Sequence, residues 1–246
     1  MKSKFKLMLL ALISSAVLFS SCSDDDDEPV VFVVNEEDAA EFVAVVLSVN
    51  TYGFSSNAIR FSEEVVDNLS CGSQTQDSGT INETSSDGTI SYSYDFTEAY
   101  TYICDTEGGS VSYSFVAEQQ LTTLRSDIDS DISGIWTLTD IDNSEPSYNL
   151  SGVYERSSDW DSKTDELPAA FITVDLSFTD LKVDKSSGDL VGGASQFELS
   201  GSQIDTDGQM FQGTINFSDP EATEVVFTDG GTYTLNMRTG EINKTS

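Results

Sequence analysis

The sequence predicts a mainly β protein: an antiparallel meander of roughly ten to twelve strands forming a curled sheet, half-barrel or sandwich, with one or two N-terminal helices. Three observations predict it. From about Gly79 onward, apolar and polar residues alternate with a period of two. Residue pairs that accept the positive φ of tight hairpins recur between the alternating segments. Aromatic residues make up 10% of the chain, and with Thr, Ser and Gly they dominate its middle, a composition suited to pleated sheet.

Residues 1–21 have the three parts of a signal peptide: a basic start with Lys2, Lys4 and Lys6, an apolar stretch from Leu7 to Phe19, and small Ser20 and Ser21. The apolar stretch is shorter than the roughly 20 residues a bilayer-spanning helix needs. Phe19-Ser20-Ser21-Cys22 resembles the bacterial lipobox, with Phe19 where Leu is usual. The resemblance implies cleavage before Cys22 and diacylglycerol on its thiol, with palmitate-type acylation making the anchor stable. Residues 22–34 are then a lipidated acidic tether. The run Ser23-Asp24-Asp25-Asp26-Asp27-Glu28 resembles the export tag of Bacteroidota-type surface-exposed lipoproteins. That resemblance implies an outer-membrane lipid anchor with the chain on the cell surface, and as partners the membrane and the lipoprotein export machinery. A periplasm-facing chain, with the acids acting only as a solvated spacer, is the alternative.

Residues 35–246 are expected to form a single β-rich domain. Asn35-Glu36-Glu37-Asp38 reads as a helix start, a capping side chain followed by acids that favour the positive helix end. Helix is expected to about Val49, with Phe42, Val45, Val46 and Val49 on one apolar stripe. Asn50-Thr51-Tyr52-Gly53 breaks it. A second helix is expected from about Asn57 to Leu69, with strand as the alternative, presenting Ile59, Val65, Val66 and Leu69.

Alternation then takes over. Tyr92, Tyr94 and Phe96 oppose Ser91, Ser93 and Asp95; Val111, Tyr113 and Phe115 oppose Ser112 and Ser114; Ile172, Val174, Leu176 and Phe178 oppose Thr173, Asp175 and Ser177. Turn pairs stand at Asp87-Gly88, Gly108-Gly109, Gly188-Asp189, Asp207-Gly208, Gly230-Gly231 and Thr239-Gly240. The stretch 143–167, rich in Ser, Asp, Glu and Pro, reads as loop-containing and as a place where the sheet could divide into two lobes.

After Cys22 only Cys71 and Cys104 remain. In an exported chain such an isolated pair reads as one disulfide. The loop it closes is worth about 3.5 to 4 kcal/mol in the chain-entropy picture. The competing reading, a metal pair, lacks ligands, because two separated thiols are too few for a closed zinc site.

The 43 Asp and Glu outweigh 11 Lys and Arg for a formal net charge of −32, and three of those lysines leave with the leader. Such a surface repels phosphate backbones and anionic headgroups, so nucleic acid is not an expected partner. The chain has no His. That removes the usual serine triad and most zinc, copper and non-haem iron sites, leaving paired carboxylates acting on glycosidic bonds as the surviving enzymatic chemistry.

Two constellations remain. Asp127, Asp129 and Asp131 stand at alternate positions, as in oxygen-rich calcium loops, but Ile132 and Leu138 occupy the places where an EF-hand needs Gly and Glu. Tyr92 and Tyr94, with Tyr100 and Tyr102, could stack on sugar rings if exposed, as could Trp160, whose neighbours Asp159 and Asp161 suggest a wet position. The same alternation equally makes those rings a sheet core. These readings point to a non-catalytic binding or structural module without a cofactor, calcium apart. Its expected alternatives are a glycan-binding accessory of a surface uptake system, a half-barrel carrier of lipid or lipoprotein, and a carboxylate hydrolase.

Overall fold

The computed structural model describes residues 34–68, 70–104, 109–141, 144–164, 169–202 and 210–245, with the backbone alone for 64–68. The expected signal peptide, Cys22, the acidic run and the expected Asp207-Gly208 turn lie outside these residues. At the described start, the Asn35 side chain accepts hydrogen bonds from the backbone N–H groups of Glu37 and Asp38 at 2.8 and 3.0 Å, while the Asp38 carboxylate accepts from Asn35 N at 3.1 Å. This reciprocal cap satisfies donors that a helix start leaves unpaired. Helix α1, Glu36–Leu47, follows. It buries Ala39, Ala40, Phe42, Val43, Val46 and Leu47, a wider face than the expected stripe.

Gly53 sits where a Cβ would lie 2.3 Å from the carbonyl oxygen of Val46, so the reversal between helices admits no side chain there. Helix α2, Phe54–Asn68, begins three residues before the expected start. Its buried side chains include Phe54, Asn57, Ala58 and Phe61, while Ile59 is only partly covered. The expected Val65, Val66 and Leu69 lie outside the described side chains. A disulfide joins Cys71, after α2, to Cys104, with Cα atoms 5.5 Å apart.

The strands are β1 Gln74–Thr84, β2 Ser91–Ile103, β3 Ser110–Thr122, β4 Ser126–Thr139, β5 Ser147–Ser162, β6 Ala170–Asp184, β7 Leu190–Gly192, β8 Ala194–Gly201, β9 Phe211–Asn216, β10 Thr223–Phe227, β11 Thr232–Leu235 and β12 Ile242–Lys244. All pair antiparallel in one open sheet that follows chain order, except that short β7 pairs only with β6 and β8 takes the next place beside β6. This is the expected meander, and the single sheet decides against a sandwich. The stretch 143–167, expected to contain a loop and to be a place where the sheet could divide, holds β5, paired along its length with β4 and β6, between bends at 144–146 and 163–164. Among the described residues, no helix is long and apolar enough to cross a membrane.

Where β5 meets β6 the register slips between Leu150 and Gly152. Asp180 takes a φ of 56° there and donates its N–H to Ser151 Oγ at 3.0 Å. The bulge reverses the phase of β6, so Ile172, Val174, Leu176 and Phe178 face the core before it and Leu181 and Val183 after it.

One face of the sheet packs on both helices. Phe54 lies 5.1 to 5.5 Å, centroid to centroid, from Trp136, Tyr154 and Phe178; Phe61 stacks on Tyr113 at 4.4 Å; Phe42 meets Trp160 edge-on at 4.4 Å. Rings fill the hollows left by glycines across the ladder. Phe115 opposes Gly134 and Phe197 opposes Gly213, so close that a Cβ on either glycine would strike the ring at 2.3 or 2.5 Å.

Candidate functional site

With the helices on one face, the other face of the central strands is open. Its side chains come from the polar phase of the alternation, and cross-strand register sets them in transverse rows. One row crosses from Gln76 on β1, through Ser114, Ile135 and Val153 on successive partner strands, to Thr214 on β9. The next carries Val116, Ser133, Glu155, Asp175, Glu198 and Gln212 in direct succession. Together they line one groove of about 950 Å³ that reaches Thr228 beyond β10. At ordinary strand spacing, the eight strands from β1 to β9 make it about 34 Å long.

The groove has two chemical halves. On the β3–β5 side, Val116, Ile135 and Val153 are 59, 66 and 52% exposed, with Ile135 directly opposite Val153. Apolar side chains grouped on a water-facing sheet leave a dry patch that a ligand can cover. On the β5–β9 side, Glu155 faces Asp175 and Asp175 faces Glu198. Gln212 donates to Glu198 at 3.4 Å. Among the described residues, no Lys or Arg lines the groove. Partial burial, with the Glu155 charge opposite, holds the Asp175 carboxyl above its ordinary value.

The residues singled out in the sequence do not gather here. Trp160, expected to be exposed, is a core ring against Phe42, and Tyr94 is fully buried with its hydroxyl donating to Asn57 Oδ1 at 2.8 Å. Tyr92 is half-buried and donates to Glu83 at 2.8 Å; burial first and that carboxylate second push its phenol up. Tyr100 and Tyr102 are core residues as well. The three aromatics that line the groove, Phe115, Tyr154 and Phe197, are buried on the helix side.

Asp127, Asp129 and Asp131 lie in a straight strand, β4, rather than a loop. Alternate residues on a strand are about 6.6 to 6.8 Å apart, too far for three carboxylates to converge on one ion at about 2.4 Å. Asp127 instead pairs with Lys163 at 2.7 Å, which holds its carboxyl below the ordinary range. Among the described residues, no group of three or more His, Cys, Asp or Glu is placed to hold a metal.

No protein-family model, no curated protein and no solved structure matches the chain. The groove therefore rests on its own geometry. Reading the sequence alone passes over its residues, although one signal was present: Ile135 and Val153 are apolar in the wet phase of otherwise regular strands. What turns two stray residues into a patch is their pairing.

Proposed function

We propose that the chain is a lipid-anchored, non-catalytic binding module that holds its ligand in the transverse groove. One observation carries this reading: a continuous groove of about 950 Å³, within the usual size range of ligand sites, with an apolar patch beside a polar bank on a face the helices leave uncovered. The lipobox-like Cys22 and the acidic run support an anchor on the outer membrane and display at the cell surface.

The other expectations draw less support. A glycan platform calls for exposed rings, and Trp160, Tyr92 and Tyr94 offer none that is fully exposed. A lipid carrier calls for an apolar cavity, and α1 and α2 fill the apolar face of the sheet. A carboxylate hydrolase has one specific observation in its favour, Glu155 opposite Asp175 in the groove, with burial and the Glu155 charge raising the Asp175 carboxyl above its ordinary value.

Shift mapping with maltoheptaose and cellohexaose tests the groove. Changes confined to the neighbourhood of Ile135, Val153 and Asp175 support the reading, and changes centred elsewhere refute it. Turnover of either oligosaccharide, lost in both Glu155→Gln and Asp175→Asn, would instead establish the hydrolase. Labelled palmitate tests the anchor: the wild type takes up label and Cys22→Ala does not, whereas equal labelling refutes lipidation.

A further inference from the structure

The edge of the sheet at β1 is a second surface, separate from the groove's central patch and independent of that reading. Among the described residues β1 pairs only with β2, through eleven uninterrupted partners from Gln74–Thr101 to Thr84–Ser91. Nearly every residue of it is exposed, with Ile81 alone partly covered. Ser73 accepts a bond from Tyr102 N at 3.0 Å, so odd-numbered residues turn their backbone groups toward β2. Even-numbered residues, Gln76, Ser78, Thr80 and Asn82 among them, turn theirs outward. Asp77 caps one of those amides, accepting from Ser78 N at 2.8 Å.

A long edge of unpaired N–H and C=O groups is a template for another strand, and proteins usually blunt it with Lys, Pro, a bulge or short length. β1 has neither Lys nor Pro, no bulge, and eleven residues. The opposite edge, β12, has three residues and ends on a lysine.

Charge decides what fits. Neither β1 nor β2 contains Lys or Arg. Asp77 and Glu83 stand six apart on one face of β1, and on the other face Thr80 donates to Asp95, beyond which Glu118 and Asp131 continue the row. A second copy, paired antiparallel about Gly79, would set Asp77 against Ile81 and Glu83 against Thr75, giving neither acid a cation while bringing together two chains of net charge −32. We propose that β1 docks an extended basic segment of a partner protein, which adds to the sheet as an antiparallel strand with Lys or Arg opposite Asp77 and Glu83.

The test is fluorescence anisotropy of the full chain with a fluorescein-labelled undecapeptide of alternating Lys and Thr. A second probe is the same peptide with alternate backbone amides methylated, which keeps the charge and removes the strand's donors. In Thr80→Pro the outward edge is blocked without loss of a backbone bond to β2, because residue 80 turns its N–H away from that strand; only the Thr80 side-chain bond to Asp95 goes with it. Binding is expected for the unmodified peptide, weakened at least ~10-fold, about 1.4 kcal/mol, by methylation or by Thr80→Pro, and unchanged in Val153→Ser. The methylated probe acts on the wild-type chain, so the test does not depend on the variant folding. Equal binding of the methylated peptide, or no binding at all, overturns the proposal. So does a dimer in sedimentation that Thr80→Pro dissolves, which would give the edge to a second copy.

Discussion

Arg60 of α2 reaches the carboxylate of Glu98 on β2, a side chain only 3% exposed, and so places an ion pair between helix and sheet. Tyr113 Oη donates to the same oxygen of Glu98 at 2.9 Å, and the guanidinium lies 4.0 Å from the centroid of Phe96. A buried pair returns little more than its desolvation cost, but breaking it strands a charge. Arg60→Met is therefore expected to cost about 3 to 5 kcal/mol in urea unfolding at neutral pH. Adding Glu98→Gln should recover much of that loss. If the two losses simply add, the side chains are not coupled.

Arg156 on β5 is the converse. It is 1% exposed on the helix-facing side, its Nε donates to Ser130 Oγ at 3.1 Å, and among the described residues neither terminal nitrogen has a partner at bonding geometry. The neighbouring Tyr154 hydroxyl, likewise without a partner at bonding geometry among the described residues, is the polar group that faces the guanidinium. A guanidinium buried without a carboxylate is a cost to the fold, so Arg156→Met, similar in length and uncharged, is expected to be neutral or more stable by about 1 to 4 kcal/mol. Equilibrium unfolding decides it. A loss of more than about 1 kcal/mol would mean that the guanidinium is better satisfied than this geometry indicates.

The Cys71–Cys104 bond ties the segment after α2 to the end of β2, across a separation of 33 residues. Replacing both cysteines with Ser is expected to lower stability by about 3.5 to 4 kcal/mol through loop-closure entropy. The denaturant slope should rise as well, because an uncrosslinked unfolded chain exposes more surface. An unchanged slope with unchanged stability would show that the crosslink restrains nothing.

Local chemistry was legible in the sequence, and non-local register was not. The Asn35 cap depends on residues within one turn, and β2, β3 and β6 were visible because alternation is a property of a single segment. Trp160 was misjudged from Asp159 and Asp161, but neighbours on a strand point to the opposite face, so they report on the far side of the sheet. Phe54, which lies between the break at Asn50–Gly53 and the expected helix start near Asn57, opens α2 because the chain reverses within that tight turn. The groove needs Ile135 to meet Val153 and Glu155 to meet Asp175. Those pairings depend on how three strands align and on the bulge at Gly152, which no single segment encodes.

That alignment sets like charges face to face, and stability should register it. Glu155, Asp175 and Glu198 occupy directly opposed positions on β5, β6 and β8. Burial first, and the Glu155 charge second, raise the Asp175 carboxyl above its ordinary value of 3.8. A raised carboxyl binds its proton more tightly in the folded chain than in the unfolded one. The penalty is therefore full at neutral pH, shrinks as pH falls through the folded value, and is gone below both. Asp175→Asn is expected to stabilise the protein at pH 7 by up to about 1 kcal/mol, the usual scale of an opposed cross-strand pair. The gap from wild type should close by about pH 3, where the carboxyl is protonated in both states. Thermal unfolding of the two proteins across that range measures the gap directly, with contributions from the remaining carboxylates largely cancelling in the difference. A stabilisation that persists undiminished at acid pH would assign the effect to packing or hydrogen bonding of the amide. A loss at neutral pH would mean that the carboxylate row is held by a cation, in which case the acids of the groove are neutralised together and Glu155→Gln should show the same loss.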